Sequence, residues 1–190
     1  LSAEIAQQQA ELLARIAAQR ESDRAAQEAA RQAEATVDPD GDESGPSGGN
    51  AEPVSPEAGG TDAGIELAYI QGIPVNAKVA DQVAAMINAA HADGVDLRIG
   101  NSYRSIARQI ELRRQNCGSS YYAIYEMPSG SCHPPTAKPG QSQHQLGLAI
   151  DFANCSSRGT ACYRWLAANA SRFGYYNLPS EAWHWSTTGR

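Results

Sequence analysis

At residues 142–152 the chain reads SQHQLGLAIDF, and this stretch sets a histidine and an aspartate seven residues apart at the edge of an apolar run. From Leu148 to Phe152 large apolar residues alternate with smaller or charged ones, which predicts a strand. Asp151 would then stand in mid-strand, where an unpaired charge is costly. His144 lies nearby, and zinc accepts both imidazole nitrogen and carboxylate oxygen. The stretch therefore predicts either a metal site or a buried aspartate in a salt bridge beside a surface histidine.

A second histidine follows near the end of the chain, in Glu181-Ala182-Trp183-His184-Trp185. Two histidines, one aspartate and one glutamate supply what a catalytic zinc hydrolase needs: three protein ligands, an open position for water, and a base. Residues three apart in an ideal strand point to opposite faces. We therefore expect Glu181 to lie in the approach to the last strand, so that it can converge with His184.

Three motifs resemble those of the D-alanyl-D-alanine carboxypeptidase family of VanY and its dipeptidase relative VanX. In chain order they are Ser102-Tyr103-Arg104-Ser105 with Gln109 five residues past its arginine, then Ser-x-His-x-x-Gly-x-Ala-x-Asp, and last Glu-x-Trp-His. The resemblance spans about residues 64–190 and implies that Glu181 is the general base. The zinc ligands that it implies are His144, Asp151 and His184.

The resemblance also implies a set of substrate contacts. Arg104, at a predicted strand-to-helix junction, would stabilise an oxyanion or grip a terminal carboxylate, and a surface salt bridge is the alternative. Gln109 would donate a hydrogen bond to substrate, unless it is a solvated helix residue. Ser142 would orient substrate or hold the ligand geometry. Tyr103 and Trp183 complete the predicted substrate-binding set, with core packing as the alternative for Trp183.

For the reaction, the resemblance implies a scissile bond in the peptide stem of peptidoglycan and release of a terminal D-alanine. A peptidoglycan endopeptidase of the same fold is one alternative. Because fold does not imply catalysis, a non-catalytic zinc-containing wall-binding module is another. A metal-free, disulfide-rich adhesion domain is the third.

All four cysteines lie in the C-terminal part of the chain and permit three pairings. Sequential pairing, Cys117 with Cys132 and Cys155 with Cys162, would close two local loops that flank the central motif. Disulfides predict an oxidising, extracytoplasmic location, secreted or associated with the cell envelope. The alternative is four free buried thiols in a cytosolic protein.

Charge and hydropathy exclude two classes of partner. The net charge of −6 is divided, since residues 1–61 carry 4 basic and 12 acidic side chains, and residues 62–190 carry 11 and 9. The second part has no excess of basic charge for phosphate backbones, so nucleic acid is not an expected partner. No run of eighteen apolar residues occurs, so no transmembrane helix is predicted.

Composition predicts three parts. Residues 1–36 are rich in Ala, Gln, Glu and Arg, which favours a helix. Apolar residues recur there at heptad-compatible spacing, at Ile5, Leu12 and Ile16. This helix is interpreted as a coiled-coil remnant, open to self-association or to a partner helix, as a solitary, frayed helix, or as a spacer from the membrane or wall. Residues 37–61 are dense in Gly, Pro, Ser and acidic residues, which predicts a disordered linker. The resemblance implies that residues 62–190 form a zinc D,D-carboxypeptidase-like domain.

Within that domain short strands and helices alternate irregularly, which predicts the α+β class. Residues 95–99 alternate as a strand, and residues 117–140 form a long irregular segment that we interpret as a wall of the substrate groove. Helix caps are predicted at Asn76, Ser105 and Thr160. The resemblance implies a small antiparallel sheet flanked by helices, as in the Hedgehog-like peptidase fold.

Overall fold

The computed structural model describes residues 2–33 and 56–190. Residues 37–55 of the predicted linker lie outside the described residues. The described helices are α1 (Ser2–Ala33), α2 (Ala80–Ala92), α3 (Ile106–Cys117), α4 (Tyr121–Tyr125) and α5 (Ala161–Asn169). The strands are β1 (Glu57–Asp62), β2 (Ile65–Ile70), β3 (Ile73–Asn76), β4 (Ile99–Asn101), β5 (Ala149–Phe152), β6 (Tyr176–Asn177) and β7 (His184–Ser186). No described helix has the length and apolar character that a membrane span requires.

The first sheet is an antiparallel meander of β1, β2 and β3. Its first strand begins at Glu57, within the last part of the segment predicted as linker. This strand has no large apolar side chains and pairs with β2 through its backbone. A Cβ on Gly59 would overlap the carbonyl oxygen of Leu67, so glycine fits this close approach.

The second sheet has the order β4-β5-β7-β6 with antiparallel neighbours, which confirms the predicted small antiparallel sheet. The strand predicted at residues 95–99 was misplaced, because β4 covers Ile99–Asn101. In the segment before β4, side-chain amides bind the backbone groups that a neighbouring strand would otherwise bind. Gln71 donates to Leu97 O and accepts from Ile99 N, both at 2.9 Å. Asn154 likewise donates to the backbone oxygen of Asp96 and accepts from the backbone N–H of Arg98.

The larger of two hydrophobic clusters among the described residues lies between the two sheets and their helices. The predicted core faces of α2 and of the central strand are confirmed as buried. These residues are Val79, Val83, Met86, Ile87 and Ala90, with Leu148, Ile150 and Phe152 on the strand side. The predicted caps are confirmed too, because the side chains of Asn76, Ser105 and Thr160 accept from the backbone N–H of Lys78, Arg108 and Tyr163. Such caps contribute about 1 kcal/mol each.

Helix α1 docks on the chain's own domain. Leu12 and Ile16, two residues of the predicted heptad seam, are buried in the core. Gln8 Oε1 accepts from Asn76 Nδ2 at 2.8 Å, and farther along α1 Tyr125 donates to Asp23 at 2.6 Å. The helix is therefore not solitary, because part of its apolar seam is covered within the chain.

Both predicted disulfides, Cys117–Cys132 and Cys155–Cys162, are confirmed. The first closes a segment that was predicted to be irregular but contains α4, whose N-terminus is capped by Ser120.

Candidate metal centre

Three side chains that are distant in sequence meet on the second sheet. Asp151 on β5 and His184 on β7 are directly opposed partners in the antiparallel register. His144 lies on the 3-10 turn Gln143–Leu146 that precedes β5. One ligand atom from each of the three lies within 4.8 Å of the others.

The distances among these atoms suit a tetrahedral metal ion. His184 Nδ1 lies 3.0 Å from Asp151 Oδ1, His144 Nε2 lies 3.3 Å from Asp151 Oδ2, and the two imidazole nitrogens are 3.2 Å apart. Ligands bound at about 2.0–2.2 Å in a tetrahedron stand about 3.3–3.6 Å from one another. The two imidazole nitrogens and the carboxylate of Asp151 therefore already lie at separations close to those of a coordination shell.

Backbone carbonyls orient both imidazoles. His144 Nδ1 is 2.7 Å from Ser102 O, and His184 Nε2 is 3.3 Å from Arg190 O. A carbonyl oxygen only accepts, so each of these ring nitrogens carries the proton and the other nitrogen of each ring presents a lone pair. Two lone pairs and a carboxylate thus converge, an arrangement that is favourable when a positive charge lies between them.

The Asp151 carboxylate lies among groups that act on its pKa in opposite directions. Burial raises this pKa, whereas protons on the facing nitrogens of His144 and His184 lower it through hydrogen bonds and charge interactions, and the pKa lies below its usual value. A bound metal ion would take the place of those protons. Asn101 Nδ2 lies 3.4 Å from the same carboxylate.

The turn that carries His144 is fixed by its backbone. Gly147 has φ +64°, and a Cβ on it would lie 2.6 Å from Asn76 N. The carbonyl of His144 accepts from Arg104 N and Gly147 N, both at 2.9 Å. Glycine is therefore required at the end of this turn for both conformation and space.

Arg104 lies between β4 and α3, as expected, and is near enough to Asp151 and Glu181 for their charges to act on it. Its Nη1 donates to Gln109 Oε1 at 3.1 Å. Burial lowers the pKa of Arg104, whereas the charges of Asp151 and Glu181 raise it. Among the described residues no carboxylate comes within salt-bridge distance of Arg104, so the alternative of a surface salt bridge is not what the structure shows.

Glu181 lies in the turn before β7, where the sequence led us to expect it. Its carbonyl accepts from His184 N at 3.3 Å and from Asn177 Nδ2 at 2.8 Å. A turn separates Glu181 from His184, so the opposite-face rule for strands does not apply to them. Glu181 is not one of the three clustered ligands.

Two predicted substrate contacts are buried. Gln109 is wholly buried, and its amide already has two partners, since Oε1 accepts from Arg104 and Nε2 donates to Ala137 O at 2.7 Å. Ser142 is buried where the ligand turn begins, and its carbonyl accepts from Gln145 N at 3.1 Å.

The two predicted aromatic substrate contacts, Tyr103 and Trp183, lie in different surroundings. Tyr103 packs against the hydrophobic core, and burial together with the neighbouring Asp62 raises the pKa of its phenol. Trp183 is 41% exposed, so it does not belong to the core. Its neighbour Trp185 does.

Two residues that shape the site were not predicted to do so from the sequence. Asn101 reaches Asp151 because β4 pairs with β5. Asn76, predicted only as a helix cap, also donates to Leu146 O at 2.8 Å and so supports the ligand turn. No sequence signal identifies either role, since both depend on pairings between distant segments.

Comparison with known proteins places the chain in a family. The family model of VanY, D-alanyl-D-alanine carboxypeptidase, matches residues 72–190. A D-alanyl-D-alanine carboxypeptidase of Enterococcus faecalis is 28% identical over 141 residues, which are 66% of this chain and 53% of that protein. The putative carboxypeptidase YodJ of Bacillus subtilis is 27% identical over 114 residues, 56% of this chain and 39% of its own.

A solved structure agrees in fold. VanYB in complex with D-alanine-D-alanine aligns with a TM-score of 0.50 and 28% identity over 69% of this chain and 80% of that one. The chain spans about half or less of the length of the two relatives named above. The family model nevertheless covers both motifs of the metal centre, and the chain belongs to the VanY family of D-alanyl-D-alanine carboxypeptidases.

Proposed function

We propose that the chain is a zinc-dependent carboxypeptidase that releases the terminal D-alanine from peptidoglycan stem peptides. The observation that carries this proposal is the convergence of His144, Asp151 and His184 at 3.0–3.3 Å. Membership of the VanY family supports the substrate class.

The residues present fit a catalytic zinc site. Two imidazole nitrogens and one carboxylate oxygen are a usual ligand set for catalytic zinc, and they leave a fourth position for water or substrate. The carbonyls behind both imidazoles supply the outer hydrogen bonds that such sites have. When bound, zinc supplies Lewis-acid polarisation of the peptide carbonyl and lowers the pKa of water to about 7.

The chain's own side chains would then divide the proton and charge transfers. Glu181 takes a proton from the attacking water and delivers it to the leaving amine. Arg104 holds the developing oxyanion or the terminal carboxylate of the substrate, and Gln109 fixes the direction of its guanidinium. The exposed ring of Trp183 offers a surface for the stem peptide beside His184.

We further propose that the protein acts outside the cytoplasm, on the cell wall. Both disulfides require an oxidising compartment. Peptidoglycan stem peptides, the proposed substrate, lie in that compartment. The domain from residue 62 onward carries all the residues of the proposed chemistry.

Replacing the proposed base tests the reaction. Glu181→Gln should retain zinc, because Glu181 is not a ligand, and should lose at least about 100-fold in D-alanine release from a pentapeptide stem. Zinc content and released D-alanine are measured on the same preparation. Glu66→Gln, which changes an exposed glutamate on β2, is the matched control and should keep full activity. Full turnover by Glu181→Gln would remove Glu181 from the mechanism.

Mass analysis of digested muropeptides identifies the bond. Loss of one alanine from the stem supports the carboxypeptidase. Cleavage of cross-linked dimers would indicate an endopeptidase instead. Bound zinc without any cleavage would indicate a wall-binding module.

A further inference from the structure

The inner face of α3 is polar, which is unusual for a helix that covers a buried segment. Gln109, Arg113, Asn116 and Cys117 recur at helical spacing along one side of α3. Gln109 and Arg113 are both 0% exposed. This face, which we call the α3 polar face, binds residues 123–137 through hydrogen bonds and a disulfide.

Arg113 is the centre of this arrangement. Its guanidinium donates to Ile124 O at 3.0 Å and to Met127 O at 2.7 Å, and also to Ala123 O. On its other side it donates to Thr136 O at 2.7 Å. Among the described residues it has no carboxylate partner. A buried charge is costly unless its donors are all used, and here they join the two ends of one loop.

Two neighbours on the α3 polar face hold the far end of the same loop. Asn116 donates to Thr136 Oγ1 at 2.8 Å, and its carbonyl accepts from His133 N at 2.8 Å. Cys117 is joined covalently to Cys132. Arg113 Nη1 lies 3.1 Å from the sulfur of Cys132, so guanidinium and disulfide meet.

The residue after Thr136 connects this loop to the site. The carbonyl of Ala137 accepts from Gln109 Nε2 at 2.7 Å. The other end of the Gln109 amide accepts from Arg104 Nη1 at 3.1 Å. Direct contacts therefore run without a gap from Arg113, through residues 136–137 and Gln109, to Arg104.

We propose that Arg113 is a positioning residue for Arg104, and that the Cys117–Cys132 disulfide serves the same purpose by fixing the same segment. When either is removed, residues 132–137 shift, Gln109 loses a fixed partner, and Arg104 no longer meets the substrate oxygen in a defined direction. This inference rests on the role proposed for Arg104 in D-alanine release. Misplacing a catalytic group by about 1 Å costs about 100-fold in rate.

The test compares matched pairs of variants in the full chain. Arg113→Lys keeps a charge but has too few donors for four carbonyls, and Arg114→Lys changes the exposed neighbour that pairs with Glu111. The double substitution Cys117→Ala with Cys132→Ala is matched by Cys155→Ala with Cys162→Ala, because this second disulfide does not contact the path. We expect the first member of each pair to lose about 10- to 100-fold in kcat/KM, with zinc affinity unchanged. The controls should stay within about twofold of the parent protein.

A double variant distinguishes positioning from general loss of structure. If Arg113 acts through Gln109, then Gln109→Leu with Arg113→Lys should lose no more kcat/KM than the more damaging single change. Multiplied losses would overturn the proposed path. If Arg113→Lys does not fold, the Cys117/Cys132 double variant is combined with Gln109→Leu instead, and the losses in kcat/KM are compared in the same way.

A readout without turnover separates this inference from the proposed function. Phenylglyoxal labelling of Arg104, located by mass spectrometry, should be faster in Arg113→Lys and in the Cys117/Cys132 variant than in their controls. Altered labelling in a protein that releases no D-alanine would refute the function and keep the positioning role. Unchanged labelling and kinetics in the folded variants would refute the positioning role.

Discussion

Gly147 shows how one residue sets the metal centre without touching it. It ends the turn that carries His144 with φ +64°, and its Cα hydrogens face the backbone of Asn76. Asn76 N in turn donates to Gly147 O at 3.1 Å. A side chain here would push the ligand turn away from β3.

Alanine at Gly147 is therefore expected to be more harmful than alanine at another left-handed glycine. Gly174 has φ +75° but open space around the position of a Cβ, so Gly174→Ala should lose only the conformational term of about 1–2 kcal/mol. Gly147→Ala adds a backbone clash at 2.6 Å and should lose more in the free energy of unfolding, and should also weaken metal binding. Urea unfolding compares the two variants. Equal losses would show that the turn relaxes freely.

The residue types of the metal centre could be predicted because zinc selects few kinds of side chain, at spacings that form a recognisable motif. The atoms that orient the ligands could not. His144 is held by the backbone oxygen of Ser102, which any residue at that position would supply. Trp183 illustrates the same limit, because a sequence does not say which of two nearby tryptophans the core covers.

At the scale of elements, α1 was predicted as a helix but its docking was not. Helix propensity is a local property of residues such as Ala and Gln, whereas docking depends on a surface formed by distant strands. The seam at Leu12 and Ile16 is too short to specify a coiled coil, yet it suffices against a core that is already assembled. Strand β1 was missed for a similar reason, since its pairing uses backbone groups.

Neighbouring leucines on α1 test this docking. Leu12 is 1% exposed and Leu13 is 47% exposed. Leu12→Ala should lower the free energy of unfolding by about 2–5 kcal/mol if α1 unfolds together with the domain, and Leu13→Ala by less than about 0.5 kcal/mol. Denaturant titration gives both values. Similar small losses would mean that α1 detaches before the domain unfolds.

For the whole molecule, the metal centre ties stability to ion binding. A ligand that binds only the folded state stabilises it by about 2.7 kcal/mol at a concentration one hundred times its Kd. Zinc should therefore raise the unfolding free energy by about that amount, and a chelator should reverse the gain. Asp151→Asn should abolish the effect, and Asp96→Asn, at an exposed aspartate, should keep it. A gain in Asp151→Asn equal to that of the parent protein would place the ion elsewhere.

The direct opposition of Asp151 and His184 across β5 and β7 has a consequence for assembly. Side chains alternate along a strand, so a slip by one residue would turn one of the two ligands to the far side of the sheet. Only molecules whose central strands are correctly aligned offer a complete coordination sphere. An ion captured late in folding would thus enrich the native alignment over its misaligned competitors.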